Sequence, residues 1–234
     1  MSSAASEPQT TLTYGEALKL IGGLSGPSKM PWWSWSISAH DCQTGGKLRE
    51  LEGSVCSKCY ALKGNYVFSN VKDAHARRRA ALDHPLFIDA FVLVLTQLNQ
   101  KTRARRKLAD GSEIAENRFR WHDAGDLQDV SHLSKIVEIA RQTPQIEHYL
   151  PTKEKAYVKR FIAAGGVIPP NLHIKISSPM IGDAVDPKIP GVSYTTVSYD
   201  GPEVFQCPAL KYQGNKCLDC AVCWSSVNVN YPVH

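Results

Sequence analysis

The stretch RFRWHDAGDLQDVSHLSKIVEIARQ, residues 118–142, decides the fold because it predicts a strand, a polar loop and a helix in succession. Residues 118–122 predict the strand. Apolar residues at positions 133, 136, 137 and 140 recur at helical spacing and predict a helix over residues 130–142. The loop between them holds the densest group of polar residues in the chain, so the fold and the site are argued outward from this unit.

The same pattern continues on both sides of this unit. Upstream, WWSWSISA places Trp33, Trp35 and Ile37 on alternate positions, which is typical of a strand. The further predicted elements are strands at residues 146–150, 171–178 and 192–199, and helices at residues 70–82, 85–100 and 154–165. Strands that alternate with such helices imply parallel βαβ units. There are about five or six units, fewer than a full barrel contains, so the expected α/β fold is a shortened or incomplete (β/α) barrel, with a doubly wound sheet as the alternative.

Composition indicates an ordinary globular chain of 234 residues, with 43% hydrophobic and 21% charged residues and a net charge of +5. No apolar run reaches the roughly eighteen residues that a membrane helix needs. Seven cysteines without a signal peptide favour a reducing cytoplasm over disulfide formation. We expect an N-terminal arm and loop (1–30), a barrel-like catalytic domain (31–200) and a cysteine-rich metal-binding tail (201–234).

Four cysteines are crowded into that tail, at positions 207, 217, 220 and 223. Their C-x9-C-x2-C-x2-C spacing allows Cys207, Cys217, Cys220 and Cys223 to fold around one tetrahedral ion, because each C-x-x-C pair binds through a tight turn. A set of disulfides is the alternative and would require an oxidising compartment. The sequence therefore predicts a structural Zn²⁺ site that closes the chain.

The loop after the predicted strand of residues 118–122 carries candidate acid and base groups. Side chains at the carboxyl ends of barrel strands converge on one mouth, so Asp123 and Asp126 are predicted to be catalytic, with His122 either beside the substrate or bonded within the core. Close carboxylates push one pKa upward, which separates an acid from a base. Asp129 is predicted to cap the following helix.

Asp123-Ala124-Gly125-Asp126-Leu127-Gln128 resembles the D-S-G-G-F-Q string of tRNA-guanine transglycosylases, and it departs from that string at Asp126. Those enzymes also carry a cysteine-rich zinc site after the catalytic strands, with a different spacing. The resemblance extends to a phage and bacterial branch, the DpdA type, that exchanges guanine in DNA for a 7-deazaguanine such as preQ0.

This resemblance implies a base-exchange enzyme whose partners are DNA and a 7-deazaguanine base. It implies that Asp123 lies at the exchange site and that His122, Gly125 and Gln128 contact the base. An aspartate on a later strand would attack the deoxyribose carbon and form a covalent intermediate. The candidates for that nucleophile are Asp183, Asp186 and Asp200, and Asp200 is favoured because it closes a predicted strand.

A second resemblance starts from the other cysteines, Cys42, Cys56 and Cys59, which follow the first predicted strand. Radical SAM enzymes hold a [4Fe–4S] cluster with three cysteines at that place, and the CxxCYA string at residues 56–61 resembles the end of that loop in some phage members. The string at residues 124–126 would then stand for the Gly-Gly-Glu string that holds the amine of S-adenosylmethionine. The thirteen-residue gap between the first two cysteines is longer than the family's. A zinc clasp completed by His40 is the structural alternative, and the sequence favours base exchange over radical chemistry.

Two basic clusters precede the central strand and predict contacts with nucleic acid. The predicted nucleic-acid-binding residues are Arg77, Arg78, Arg103, Arg105 and Arg106. Phosphate neutralisation requires several such charges on one face. The alternative is a solvated surface, and the third class of function is a non-catalytic, zinc-stabilised nucleic-acid binder.

Overall fold

The computed structural model describes residues 12–100, 105–107, 111, 113–115, 117–184, 186–199 and 203–233. The strands are β1 (Trp33–Trp35), β2 (Arg105–Lys107), β3 (Glu113–Ala115), β4 (Arg118–Trp121), β5 (Glu147–Thr152), β6 (Leu172–Ser177), β7 (Ser193–Ser198), β8 (Phe205–Gln206) and β9 (Val229–Pro232). The α-helices are α1 (Tyr14–Leu20), α2 (Gln43–Arg49), α3 (Ser69–Ala81), α4 (Phe87–Gln100), α5 (Val130–Gln142), α6 (Lys155–Ala163) and α7 (Ala209–Tyr212).

Seven of these strands form one open parallel sheet in the order β1-β4-β5-β6-β7-β9-β8. From β1 to β7, strands that are adjacent in the sheet follow one another in the chain, apart from the separate β2–β3 hairpin. Right-handed crossovers between consecutive neighbours leave their helices on the same side of a sheet. The order lacks the reversal of a doubly wound sheet, so that alternative is not observed.

The main core lies between this sheet and helices α1, α4, α5 and α6. Trp35 and Trp121 are fully buried on the helix-covered face, and Phe91 of α4 packs between them with its ring centroid 4.9 Å from that of Trp121. Each such aromatic pair contributes about 0.5–1.5 kcal/mol beyond the area that it buries. This packing fixes β1 and β4 side by side and so positions the loops that follow them.

The opposite face of the sheet, which we call the polar face, carries Ser34, Arg120, Tyr149 and Lys175. These residues alternate along their strands with members of the helix-covered core, as the two-residue period of a strand requires. The chain after β7 covers part of this face, because Trp224 packs on Trp32 at a centroid distance of 4.8 Å. Strands β8 and β9, from the segment predicted as a metal-binding tail, extend the same sheet.

Several predicted boundaries shift by a few residues, and two loops contain structure that was not predicted. Residues 40–64, where no helix or strand was predicted, contain α2. The segment that carries the second basic cluster contains the antiparallel hairpin of β2 and β3. Helix α2 has two glycines in seven residues, so its local sequence has weak helix propensity. Within the described residues, no helix is long and apolar enough to cross a membrane.

Candidate cysteine site at the carboxyl edge of the sheet

Cys42, Cys56 and Cys59 come together above the carboxyl ends of β1 and β4. Cys42 and Cys59 pack against a small apolar cluster that includes Ala124, which follows β4. Cys42 and Cys56 flank Gly45 of α2: a Cβ atom there would lie 3.5 Å from Cys56 Sγ and 3.7 Å from Cys42 Sγ. We call residues 42–59 the cysteine loop, and the structure gathers its three thiols in one place.

Glu154, directly after β5, anchors the start of this loop. Its buried carboxylate accepts hydrogen bonds from the backbone N–H and the hydroxyl of Thr44, both at 2.8 Å. Thr44 lies in the first turn of α2, where a negative charge also interacts favourably with the helix dipole. A hydrogen bond to a charged group contributes roughly 1.5–3 kcal/mol, so Glu154 fixes the position of the neighbouring Cys42.

Two further loops hold the cysteine loop in place. After β4, the Gln128 side chain donates to the carbonyl of Asp41 at 3.2 Å, and the Gln43 side chain donates to the carbonyl of Gln128 at 2.6 Å. After β6, Val55 N–H donates to the carbonyl of Pro179, and Ile181 N–H donates to that of Gly53, both at 2.9 Å. The loop is therefore tied to the ends of β4, β5 and β6, at the edge where barrel enzymes carry their active sites.

Burial favours the protonated form of the Cys42 and Cys56 thiols because it raises the pKa of each. Burial raises the pKa of Cys42 to about 12, and the charges of Asp126, Cys59 and Cys56 add to the shift. Burial also raises the pKa of Cys56, although the nearby Lys153 opposes that shift. Because metals bind thiolates, any ion at this site must displace protons when it binds.

Lys153 places a cation beside the three thiols. Burial lowers the pKa of its ammonium group, while Cys56, Asp126 and the other thiols favour the charged form. The ammonium donates to the carbonyl of Ser178 at 2.9 Å, which holds it at the end of β6. A cation at this position offsets the negative charge that thiolates would create.

Asp126 is buried beneath the cysteine loop and joins β4 to β5. Its carboxylate accepts hydrogen bonds from Leu127 N–H at 2.7 Å, Thr152 Oγ1 at 2.5 Å and Lys153 N–H at 2.8 Å. Burial, the largest cause, raises its pKa to about 6 in spite of these donors. Three of about four acceptor positions on the carboxylate are filled, so one remains for another donor.

Asp123 points toward the polar face and is surrounded by hydroxyl groups. Its carboxylate accepts hydrogen bonds from Ser34 Oγ at 2.6 Å, from Ser36 Oγ, and from Tyr66 Oη at 3.0 Å. Burial favours the neutral acid, but Arg120 and the three hydroxyls outweigh it and lower the pKa of Asp123. The side chain is therefore a stabilised carboxylate, a weaker base and nucleophile than a free one.

The other residues predicted around the base have structural contacts. His122 has φ of 56° and is buried, and both of its ring nitrogens lack hydrogen-bond partners, so burial lowers its pKa to about 3. Gly125 has φ of 75°, and a Cβ there would lie 2.5 Å from Ile37 Cγ1, so only glycine fits between the ends of β1 and β4. Gln128 braces the cysteine loop, and Asp129 caps α5 by accepting from His132 N–H at 2.6 Å, as predicted.

Of the predicted nucleophiles and arginines, the structure describes the side chains of only some. Asp200 and Arg103 lie outside the described residues, as do the side chains of Arg105 and Arg106, whose backbones form β2. Arg77 is exposed on α3. Arg78 is 5% exposed, and its guanidinium donates to Gly23 O at 3.0 Å and Ser25 Oγ at 2.8 Å. Its inward position does not fit the predicted contact with nucleic acid.

Asp183 and Asp186, the other candidate nucleophiles, lie in the loop after β6. The backbone carbonyl of Asp183 accepts from the hydroxyl of Thr196, and the carboxylate of Asp186 accepts from Lys188 N–H at 2.8 Å. Neither residue has a described contact with Asp123.

The cysteine tail, residues 207–223, lies on the polar face and is held by aromatic packing. Cys217 and Cys223 pack against the cluster of Trp32, Tyr149 and Trp224, and Cys223 Sγ lies 3.2 Å from the hydroxyl of Tyr231. Burial raises the pKa of Cys217 to about 12, and the charges of Cys223, Cys207 and Cys220 add to it. The four predicted zinc ligands are thus neighbours of one another.

Within the part of the chain that the structure describes, all seven cysteines are free thiols. No group of three or more His, Cys, Asp and Glu side chains in that part is arranged to hold a metal ion. The thiols in each set are neighbours without forming a closed cage for a single ion.

Sequence reasoning missed several residues of the site, among them Lys153, Glu154, Tyr60 and Arg120. Lys153 and Glu154 directly follow a predicted strand, so the rule that pointed to Asp123 could have found them. Tyr60 adjoins Cys59, and its hydroxyl donates to the carbonyl of Asp123. Arg120 was predicted only as part of a strand, and its position on the polar face follows from the two-residue period.

The family model described as Gene product 88 matches residues 4–226 of the chain. No curated protein matches the sequence. No solved structure matches it either.

Proposed function

This chain belongs to the Gene product 88 family, and we propose that it is a radical SAM-like enzyme built on a shortened (β/α) barrel. In this proposal Cys42, Cys56 and Cys59 hold a [4Fe–4S] cluster, and S-adenosylmethionine binds beside it. One observation carries the proposal: the three cysteines that follow β1 meet Asp126 and Lys153 at the carboxyl edge of a consecutively ordered parallel sheet.

The donor set supports an iron–sulfur group. Iron–sulfur clusters are held by cysteine thiolates, and three ligands leave one iron open to a small molecule. Gly45 leaves the space beside the sulfurs of Cys42 and Cys56 open, because a Cβ atom there would be in van der Waals contact with both. If bound, such a cluster would take one electron from an external reductant, such as dithionite in the assay, and pass it to S-adenosylmethionine, whose C–S bond would cleave to methionine and a carbon radical.

The protein's own groups then have distinct roles. Lys153 offsets the charge of the thiolates, and Glu154 and Gln128 hold the cysteine loop at a fixed height above the sheet. The remaining acceptor position of Asp126 is suited to the methionyl amine, because amines donate to carboxylates. Asp123 keeps the polar face negatively charged next to Arg120.

Base exchange receives less support from the site, which reverses the preference drawn from the sequence. Asp123, whose carboxylate is bound by three hydroxyls and has a lowered pKa, is poorly prepared to accept a proton at the exchange site. No partner aspartate accompanies Asp123 in the described residues, and Asp200 lies outside them. The predicted DNA and 7-deazaguanine partners belong to that hypothesis and are tested with it.

We assign Zn²⁺ to the cysteine tail as a structural ion. The four thiols are mutual neighbours, and four thiolates are a common zinc donor set. The iron–sulfur cluster and the zinc ion both require reduced thiols, which fits a cytoplasmic protein.

The deciding experiment is anaerobic purification and reconstitution with iron and sulfide, followed by metal analysis, a visible spectrum and an assay for S-adenosylmethionine cleavage. We expect a brown protein with about four irons per chain. The iron and the cleavage should be lost when Cys42, Cys56 or Cys59 is changed to alanine and retained in Cys220→Ala. A colourless wild-type protein that binds only zinc would refute the proposal. Release of labelled guanine from DNA in the presence of preQ0, lost in Asp123→Asn, would restore base exchange.

A further inference from the structure

Arg120 lies between the two cysteine regions on the polar face. Its guanidinium carbon is 5.6 Å from the centre of the Tyr149 ring, which fixes the side chain by a cation–π contact. Its charge acts on Asp123 and Tyr60 on one side and on the thiols of the cysteine tail on the other. Arg120 therefore lies where a substrate bound beside the cysteine loop would contact it.

The donors of Arg120 are only partly used. Its Nε is buried and has no hydrogen-bond partner. Among the described ion pairs, which extend to 4.0 Å, none involves Arg120. Asp123 is near but is already bound by three hydroxyls. A buried N–H without a partner costs free energy, so the native fold gains when an acceptor arrives.

Two other buried cations have hydrogen-bond partners for their charged groups. The ammonium of Lys175 donates to Ser193 Oγ at 2.9 Å and to the carbonyls of Ser225 and Val227. Arg78 donates to a carbonyl and a hydroxyl near α1. Both cations fasten one segment of the chain to another through their charged groups, whereas the Nε–H of Arg120 is left without an acceptor.

We propose that Arg120 binds an oxyanion of the substrate, a phosphate ester or a carboxylate, on the polar face between the cysteine loop and the cysteine tail. The proposal rests on the proposed function, because it names the class of substrate that would be held beside the cysteine loop. The planar guanidinium presents paired N–H groups that match two oxygens of such an anion. Tyr60, which is 49% exposed, supplies an accessible ring beside it, while its hydroxyl donates to the carbonyl of Asp123.

The test measures anion binding on the full chain without iron, so it does not depend on the proposed chemistry. The Nε–H signal of Arg120 is assigned by its absence from the ¹H–¹⁵N spectrum of Arg120→Lys and is followed during titration with inorganic phosphate or acetate. We expect a saturable shift of this signal and a smaller response from Arg118, whose Nε is also buried without a partner. Arg118→Gln is the matched control on the same strand.

Arg120→Gln should weaken binding at least tenfold, Arg120→Lys should retain part of it, and Arg118→Gln should leave it within twofold. A stronger response to phosphate identifies a phosphate ester, and a stronger response to acetate identifies a carboxylate. If neither anion moves the Arg120 signal, or if Arg120→Gln binds as tightly as the wild type, the proposal is overturned. If Arg120→Gln does not fold, the wild-type titration decides alone. If the wild-type protein shows no iron-dependent cleavage of S-adenosylmethionine but these titrations give the expected results, only the proposed function is refuted.

Discussion

The cysteine loop and the cysteine tail use the same side chain in opposite surroundings. The loop is held by hydrogen bonds from the ends of three strands, through Glu154, Gln128 and paired backbone groups. The tail is held by aromatic rings, chiefly Trp224 against Trp32 and Tyr149. Directional polar contacts fix positions, and apolar burial supplies stability. The difference is consistent with the proposed chemistry of the loop and the proposed structural role of the tail.

The most direct test of this difference is to replace the cysteines themselves. Replacing Cys42, Cys56 or Cys59 with alanine should abolish iron binding and leave the Tm nearly unchanged, because polar contacts of other residues hold the loop. Replacing Cys217 or Cys223 should lower the Tm and spare the iron, with roughly 2–4 °C lost for each kcal/mol. Metal analysis and calorimetry on the same samples decide the matter. Equal loss of iron from the loop variants and the tail variants would contradict this distinction between the two regions.

Removing the ring that anchors the tail should produce the next largest effect. Trp224→Ala deletes a buried side chain that also donates to the carbonyl of Phe119 at 2.9 Å. Such truncations cost about 3–5 kcal/mol, which urea unfolding followed by circular dichroism would detect. Tyr212→Ala is the control, because that ring is 81% exposed and should contribute little. An unchanged midpoint for Trp224→Ala would show that the tail is not held by its aromatic packing.

Removing the polar anchor of the loop should have a smaller and more local effect. Glu154→Ala leaves the N–H and hydroxyl of Thr44 without their acceptor, at a cost of roughly 1.5–3 kcal/mol. Amide hydrogen exchange should accelerate in α2 and leave β9 unaffected. Glu138→Ala, which removes an exposed pair with Arg141, should cost less than about 1 kcal/mol. Uniform acceleration across the sheet would contradict a local anchor.

The last and, per pH unit, smallest expected effect is a dependence of the free energy of unfolding on pH. It originates at His148 on β5, the strand that adjoins both regions. His148 accepts from Trp121 Nε1 at 3.2 Å, and its other ring nitrogen lies 2.9 Å from Thr143 Oγ1. A proton on the accepting nitrogen would face another N–H, and burial, the main cause, lowers the pKa of His148 to about 3. The unfolded chain therefore binds more protons between pH 6.5 and 3, and stability falls as the pH is lowered through that range.

His148 contributes at most about 1.4 kcal/mol per pH unit to this loss, in addition to the buried His122 and His132, measured as the free energy of unfolding between pH 6.5 and 4. His148→Gln keeps an acceptor and a donor without a titrating ring and should reduce this slope by the share of His148. His40→Gln, at an exposed position, should leave the slope as in the wild type. A slope that is unchanged in His148→Gln would assign the acid sensitivity to other residues.

The sequence predicted the regular part of the fold well, because strands and helices there follow simple periodicities. The α5 prediction is confirmed residue for residue. Helix α2 escaped because its stability comes from Glu154, more than a hundred residues later in the chain. The hairpin of β2 and β3 escaped because its three-residue strands are too short to show the alternation of a half-buried sheet.

The candidate site was predicted in its parts and only partly in its arrangement. The three early cysteines and the loop of Asp123 and Asp126 were named from the sequence, and the structure brings them together. The sequence did not rank the three cysteines against Asp123, because the hydroxyls that surround Asp123 come from distant segments. Ser34 and Ser36 belong to the first strand region, and Tyr66 belongs to a turn after the cysteine loop. Spacing along a chain does not report such convergence.

The backbone pairing of Gly53 and Val55 with Pro179 and Ile181 has a consequence for maturation. These partners belong to early and late parts of the chain, so the scaffold around the thiols is complete only after β6 has docked. Contacts between distant segments form slowly because a long loop must close first. An ion captured by the nascent N-terminal half would meet loose ligands, and productive loading should follow folding.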